Sequence, residues 1–323
     1  MKVKWGILGT AGIAKNCTIP GMQKAKNCEV YAIAGRKKEK VDDFANRFGI
    51  TKRYYDYDSL LDDDEVRAVY VPLPNNIHKE WVIKALNKGK YVLCEKPVAM
   101  NADEAAEMYK AARNNNRILM EAFAYLHSPY VESLKKDVQS GIIGDVTYID
   151  TSFVTQGYKE DFRLHKELGG GMIYDLGCYC TTLILSLIDS PVKYVKSSAE
   201  MTELGVDALS VAIIGFENGA RAAFTVGMVL GENSNCRYDR LYIHGTKGDI
   251  ISEVPYNGDG NVNYRIVVNG GTTVRNITVP NNYTLEAEDL SECILNGTKP
   301  LISEEFSMKN ARLLDALLES AGY

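Results

Sequence analysis

Three stretches of this chain carry residues whose types and spacing can do chemistry: Glu95-Lys96-Pro97, Asp175 with Tyr179, and the loop Gly9-Thr10-Ala11-Gly12-Ile13. A phenol titrates near pH 10 (approximately), so Tyr179 is a poor proton shuttle until a nearby cation lowers its pKa. Lys96 can be that cation, and its ammonium can also hydrogen-bond a substrate hydroxyl. Asp175 and Tyr179 are four residues apart, which puts them on one face of a helix near its start. Gly169, Gly170 and Gly171 lead into that helix and allow a ligand or another backbone to come close. The competing reading makes Lys96 a surface lysine beside Glu95, Tyr179 core packing and Asp175 a helix-start charge.

The loop from Gly9 has the outline of the dinucleotide fingerprint G-x-G-x-x-G/A, with Ala14 last and Ala11 where the middle glycine stands. A helix starting behind such a turn offers free N–H groups and partial positive charge to a phosphate. The alternative is a tight strand-to-helix turn with no ligand. The second apolar run ends in Gly35, Arg36 and Lys37, where a chain selective for NAD carries an acid for the ribose 2′-hydroxyl. A guanidinium at Arg36 can grip a 2′-phosphate in two-point fashion, so NADP is favoured over NAD. Arg36 and Lys37 could instead simply begin a solvated helix. Leu73, Pro74, Asn75 and His78 follow a strand and open a helix; Asn75 and His78 could touch the nicotinamide ribose or cap that helix. Arg163 and His165 precede the triple glycine and are candidate substrate contacts.

These residues need particular elements to hold them. Residues 1–122 alternate short apolar runs with helical stretches, which predicts a Rossmann domain: a doubly wound α/β fold with a parallel sheet. Ligands bind beyond the carboxyl ends of such strands, which is where Gly9, Leu73, Glu95 and Lys96 fall. Gly89 suits a helix C-cap and Asn101 an N-cap. Residues 123–323 read as an α+β domain. It has a large, mostly antiparallel, open-faced sheet and a helix from Gly171 to about Leu187, and a C-terminal helix can pack back on the first domain. Asn218-Gly219 and Asn269-Gly270 mark hairpins. The uncovered sheet face predicts a homodimer or homotetramer.

The 323 residues exceed one ordinary core, and the net charge of −5 argues against a nucleic-acid surface. Four isolated histidines and the absence of Cys/His metal spacing predict no metal, and seven cysteines read as free thiols of a reducing, cytoplasmic compartment. No apolar run reaches the roughly 18 residues needed to cross a bilayer.

Together these segments resemble the glucose–fructose oxidoreductase, inositol dehydrogenase and rhizopine-catabolism (Gfo/Idh/MocA) family over essentially the whole chain. The most specific pieces are the run from Trp5 to Ala14, Glu95-Lys96-Pro97, and Gly169 to Tyr179. The chain is most similar to the branch with glucose–fructose oxidoreductase, D-xylose dehydrogenase and dimeric dihydrodiol dehydrogenase, which has Tyr at the position of Tyr179 where many relatives have His. The resemblance implies that Lys96 and Tyr179 are the catalytic pair, that Asp175 belongs to the substrate pocket and that a cis bond precedes Pro97. It departs from the family at Ala11, and at Leu126, His127 and Ser128, where relatives commonly have Arg, Phe and His. The expected activity is NADP-dependent hydride transfer to or from a hydroxyl-bearing carbon of a sugar, polyol or trans-diol. Two alternatives are a non-catalytic nucleotide- and sugar-sensing regulator and an NAD-dependent inositol or sugar dehydrogenase. The intact Lys96 and Tyr179 oppose the first; Arg36 and Tyr179 oppose the second.

Overall fold

A computed structural model describes residues 1–158, 161–231 and 237–323. It divides into two compact units, Met1–His127 with Asn281–Met308, and Ser128–Pro280 with Lys309–Tyr323. In the first, β1 (Val3–Leu8), β2 (Cys28–Ala34), β3 (Lys52–Tyr54), β4 (Ala68–Val71), β5 (Tyr91–Glu95) and β6 (Leu119–Ala122) pair in parallel, in the order β3-β2-β1-β4-β5-β6. The strands are apolar almost throughout because helices cover both faces, as a parallel sheet requires. The connecting helices are α1 (Ile19–Lys24), α2 (Lys38–Phe48), α3 (Tyr57–Leu61), α4 (His78–Asn87) and α5 (Ala102–Asn114). Strand order reverses at β1, so the loops after β1 and β4 diverge and leave the crevice in which doubly wound folds bind ligands.

The short edge strand β3 and helix α3 have too few apolar residues to be read from periodicity. Asn101 caps α5 by accepting from the Glu104 amide, and Gly89 turns at φ 74° after α4, both as expected. The first unit also takes in a helix from much later in the chain, Asn282–Asn296, whose Ser291 hydroxyl accepts from the buried Trp5 indole at 3.0 Å.

The second unit begins with α6 (Pro129–Gln139), whose Ser128 cap and first-turn Pro129 are ordinary helix-start signals. Then come β7 (Val146–Gln156), α7 (Cys178–Leu187), β8 (Val192–Met201), β9 (Asp207–Phe216), β10 (Arg221–Leu230), β11 (Arg237–Gly245), β12 (Gly248–Ser252), β13 (Gly260–Val268) and β14 (Gly271–Val279). They form an eight-stranded sheet ordered β14-β13-β12-β11-β7-β10-β9-β8, antiparallel except between β7 and β10. Asn269 and Gly270 both have positive φ, as the β13–β14 hairpin requires.

The helix expected from Gly171 begins at Ile173, and its first turn, Ile173–Gly177, is π-helical before α7 proper. Counted with the turns before it, Lys166–Leu187 is long and apolar enough to span a bilayer by length and composition, contrary to the sequence reading; 83% of its most apolar window is buried, as in a core helix. The opposite face of the sheet exposes Tyr148, Tyr194, Val211, Ile213, Val229 and Tyr238.

Candidate active site

In the first unit, β1 delivers the chain into the glycine loop. The Gly9 amide donates to Ala34 O at 2.8 Å, and its φ of 120° lies in the region that disfavours side chains. A Cβ there would come within 3.1 Å of Leu73 Cδ2 and 3.8 Å of the Tyr57 hydroxyl, so the loops after β1 and β4 touch across the crevice. Above Gly12 there is open space. Thr10, Ala11 and Ile13 are partly exposed around it. The helix that follows also opens with a π-helical turn, Ala14–Thr18, and Ile13 at its start makes no side-chain cap bond. The Lys15 amide closes back on Ala11 O at 3.1 Å, so the amides that can meet water or an anion are those ahead of it. Such π turns are frequent at functional sites.

Arg36 and Lys37 are exposed beyond β2. Arg36 interacts with the Tyr57 phenol, whose pKa burial pushes up and the Arg36 charge pulls back. Tyr57 is braced edge-on against Trp81 at 4.8 Å. This places Tyr57 between the guanidinium and Gly9, a contact that nothing in the sequence pattern signals.

His78 is fully buried. Its Nε2 faces Leu73 O at 2.7 Å and its Nδ1 faces Pro97 O at 3.0 Å, while burial lowers its pKa. Both ring nitrogens are engaged by backbone, so His78 braces the Leu73 and Pro97 turns rather than contacting a ribose or capping α4. The cap positions Pro74 and Ile77 likewise carry no side-chain bond, and Asn75 is buried between them.

At the end of β5, Glu95 accepts from the Tyr70 hydroxyl, which in turn accepts from Thr18 at 2.9 Å, and Glu95 Oε2 accepts from the Lys96 amide at 3.3 Å. Lys96 is partly exposed, and the Lys96–Pro97 bond is cis.

In the second unit, Arg163 Nε donates to Asp175 Oδ2 at 2.7 Å and Arg163 Nη1 to Asp161 Oδ1 at 2.9 Å. Burial opposes the Arg163 charge, but Asp175, Tyr158 and Asp161 outweigh it and raise the guanidinium pKa. His165 lies apart: its ring is exposed, 3.4 Å from Glu167, and only its backbone takes part, accepting from Gly170 N.

Tyr179 stands over an aromatic floor. Phe153 and Tyr256 stack at 5.2 Å, both rings meet Tyr179 edge-on at 5.4 and 5.5 Å, and the Arg237 guanidinium lies over Phe153 at 4.2 Å. The Asn257 amide donates to the Tyr179 hydroxyl at 3.4 Å. Sequence reasoning missed Phe153, Tyr256, Asn257 and Arg237 because they come from strands and a turn far away in sequence.

The start of this helix is held by Asp207, which accepts from the amides of Met172 at 2.8 Å and Ile173 at 2.9 Å, from Ser210 at 2.6 Å and from Tyr323. A carboxylate there completes the orphan amides and complements the helix dipole. Among the described residues no group of His, Cys, Asp and Glu side chains could hold a metal.

Comparison with known proteins places these features in context. Residues 3–123 match the oxidoreductase family GFO_IDH_MocA with its NAD-binding Rossmann fold, and residues 131–251 match the GFO/IDH/MocA C-terminal domain. The chain is 30% identical to D-xylose 1-dehydrogenase (NADP(+)) 2 of Haloferax volcanii, over 98% of this chain and 97% of that protein. It is 33% identical to trans-1,2-dihydrobenzene-1,2-diol dehydrogenase of Xenopus laevis, over 100% and 99%. Among solved structures it is similar to KijD10, a 3-ketoreductase from Actinomadura kijaniata in complex with NADP and TDP-benzene. That match has a TM-score of 0.92 and 26% identity, and it covers 99% of this chain and 98% of the other.

Proposed function

The chain belongs to the GFO/IDH/MocA family of NAD(P)-dependent oxidoreductases, and on that premise we propose that it uses NADP to oxidise or reduce a hydroxyl-bearing carbon of a sugar, polyol or trans-diol, with Lys96 and Tyr179 as its acid–base pair. The names of its relatives, a D-xylose dehydrogenase, a dihydrodiol dehydrogenase and a 3-ketoreductase, support that substrate range.

The first unit's residues fit a dinucleotide. The space above Gly12 is open, the amides before Ala14 have no side-chain cap, and Arg36 is exposed beside Tyr57. The loop Gly9-Thr10-Ala11-Gly12-Ile13 would hold the pyrophosphate, and Arg36 with Lys37 the 2′-phosphate. Leu73, Pro74, Asn75, Glu95 and Lys96 would lie toward the nicotinamide end, with His78 behind them. The bound nicotinamide supplies or accepts the hydride.

The observation that carries the reading is the bond from the Asn257 amide to the Tyr179 hydroxyl. A donor on that oxygen favours the phenolate over the phenol. In the oxidative direction Tyr179 takes the proton from the substrate hydroxyl, and Lys96 holds that hydroxyl and stabilises the phenolate by its charge. In reduction Tyr179 returns the proton. Asp175 and Arg163, already joined to each other, frame the substrate side, with His165 peripheral. The aromatic floor of Phe153 and Tyr256 suits the apolar face of a sugar or diol ring. The exposed Tyr194, Val211, Ile213 and Val229 support a homodimer through this sheet. The buried thiols of Cys28, Cys94, Cys180 and Cys293 suit a reducing, cytoplasmic setting.

The test follows the absorbance of the reduced nicotinamide with NADP and with NAD against aldoses, polyols and trans-diols. NADP-linked turnover that Lys96→Ala removes supports the reading. Turnover that persists undiminished in both Lys96→Ala and Tyr179→Phe overturns it.

A further inference from the structure

Behind the Lys96 turn lies a second group of polar side chains that the reaction does not use. Glu121, on β6 beside Cys94 of β5, is almost fully buried. Its Oε1 accepts from the Val98 amide at 2.9 Å, one residue beyond the cis Lys96–Pro97 bond. Its Oε2 has no partner, and neither do the buried Tyr109 hydroxyl of α5 and the buried Ser307 hydroxyl in the closing helix Glu304–Ala321. These three groups belong together, since Ser307 lies within hydrogen-bonding reach of both Glu121 and Tyr109 and lowers the pKa of each, although neither contact has full hydrogen-bond geometry. Buried polar atoms are rarely left unsatisfied, and three of them grouped together match the two to four partners an internal water needs.

We propose that Glu121 is a positioning residue for Lys96, holding the Val98 amide through one oxygen and an internal water, shared with Tyr109 and Ser307, through the other. This rests on the reading of Lys96 given above. Fixing Val98 fixes the exit of the turn, and so limits where the Lys96 side chain can start from. Glu121 also sets charge there. Burial pushes its carboxyl up to about 7, with Ser307, the Val98 amide and the Lys96 charge pulling down and Glu95 pushing up. Cys94, Tyr109 and Glu304 are further titratable groups around the cluster. Above that pH a carboxylate faces the Lys96 ammonium and stabilises it; below, a neutral acid does not.

The experiment titrates the full chain by infrared difference spectroscopy, reading the C=O stretch of protonated buried carboxyls, alongside kcat against pH. In the unmodified protein one such band disappears as the pH rises through about 7. Glu121→Gln lacks that band and loses the kcat limb over the same range. Ser307→Ala, which removes an oxygen without adding bulk, moves the midpoint of the band upward, and it decides the matter if Glu121→Gln does not fold. A band that survives in Glu121→Gln, an unmoved midpoint in Ser307→Ala, or identical kcat profiles for Glu121→Gln and the unmodified enzyme overturns the assignment. Undiminished turnover in Lys96→Ala overturns the role of Lys96 instead, a result kept separate because the infrared band does not depend on turnover.

Discussion

Arg163 and Asp175, twelve residues apart, are joined by a 2.7 Å bond from the guanidinium Nε to a carboxylate whose side chain is only 8% exposed. The pair closes the loop before the triple glycine onto the first turn of the helix that carries Tyr179. Removing one partner leaves a buried charge uncompensated, a loss worth about 3 kcal/mol. Arg163→Ala should therefore lower the urea midpoint strongly. Asp175→Asn, which keeps a hydrogen-bond acceptor, should lose less. Equal stability of Arg163→Ala and the unmodified protein would show that the pair does not hold the loop.

Asp207 and Tyr323 make a second prediction. Asp207 gathers two helix amides, a serine and the terminal phenol, and charge-assisted bonds of this kind contribute about 1.5–3 kcal/mol each. Asp207→Ala should cost more than Tyr323→Phe in Tm, and both should reduce kcat by loosening Tyr179. A Tyr323→Phe enzyme with normal kcat and Tm would make the terminal hydroxyl irrelevant.

For the cofactor, the measurement is binding by quenching of protein fluorescence. Arg36→Ala should weaken NADPH about ten- to a hundred-fold and leave NADH nearly unchanged. Tyr57→Phe should give a smaller loss of the same selectivity, since the phenol only steadies the guanidinium. Parallel losses for both nucleotides would take Arg36 out of the phosphate role.

Proton transfer makes its own prediction. Tyr179→Phe should lower kcat about 10²–10⁴-fold with little change in NADPH affinity. Asn257→Ala removes a donor that favours the phenolate, so the pH at which oxidation reaches half its maximum should rise. If that midpoint stayed in place, Asn257 would be only a packing residue.

Stability should also carry the mark of Glu121. Its folded pKa is raised from 4.5 to about 7, so the folded state holds this proton more tightly than the unfolded chain does. The resulting stabilisation is present below pH 4.5 and is lost as the pH climbs through about 7, on the order of 3 kcal/mol in all. Glu121→Gln has nothing to titrate there. Urea unfolding at pH 5 and pH 8 should therefore show the variant gaining on the unmodified protein as the pH rises; a constant difference would refute it.

How much of this was legible beforehand follows from range. Strands β1, β2, β4, β5 and β6, the loop at Gly9, the cap at Asn101 and the hairpin at Asn269-Gly270 depend on neighbours in sequence, and all are readable there. The signals for α6 at Ser128-Pro129 are equally local. His78 was misjudged because one of its partners, Pro97 O, lies nineteen residues away. The π turns at Ala14–Thr18 and Ile173–Gly177 leave no trace in hydrophobic periodicity, since a single widened turn is too short to shift the pattern. The floor under Tyr179 joins β7 to the segment around Tyr256, a pairing that only the sheet order reveals.

The first unit is built from two separated pieces of chain, and this has a consequence for how the protein is made. Trp5 and Cys28 are sealed by Ser291 and Ala287. A ribosome therefore releases the whole nucleotide-binding sheet long before the helix that covers one side of it exists. Residues 128–280 emerge in between and can start their own core, while the earlier unit waits with an indole and a thiol uncovered. Synthesis of this chain thus passes through a stage in which the oldest part is the least finished, and the stage during which a chaperone would find most to bind ends only near residue 308.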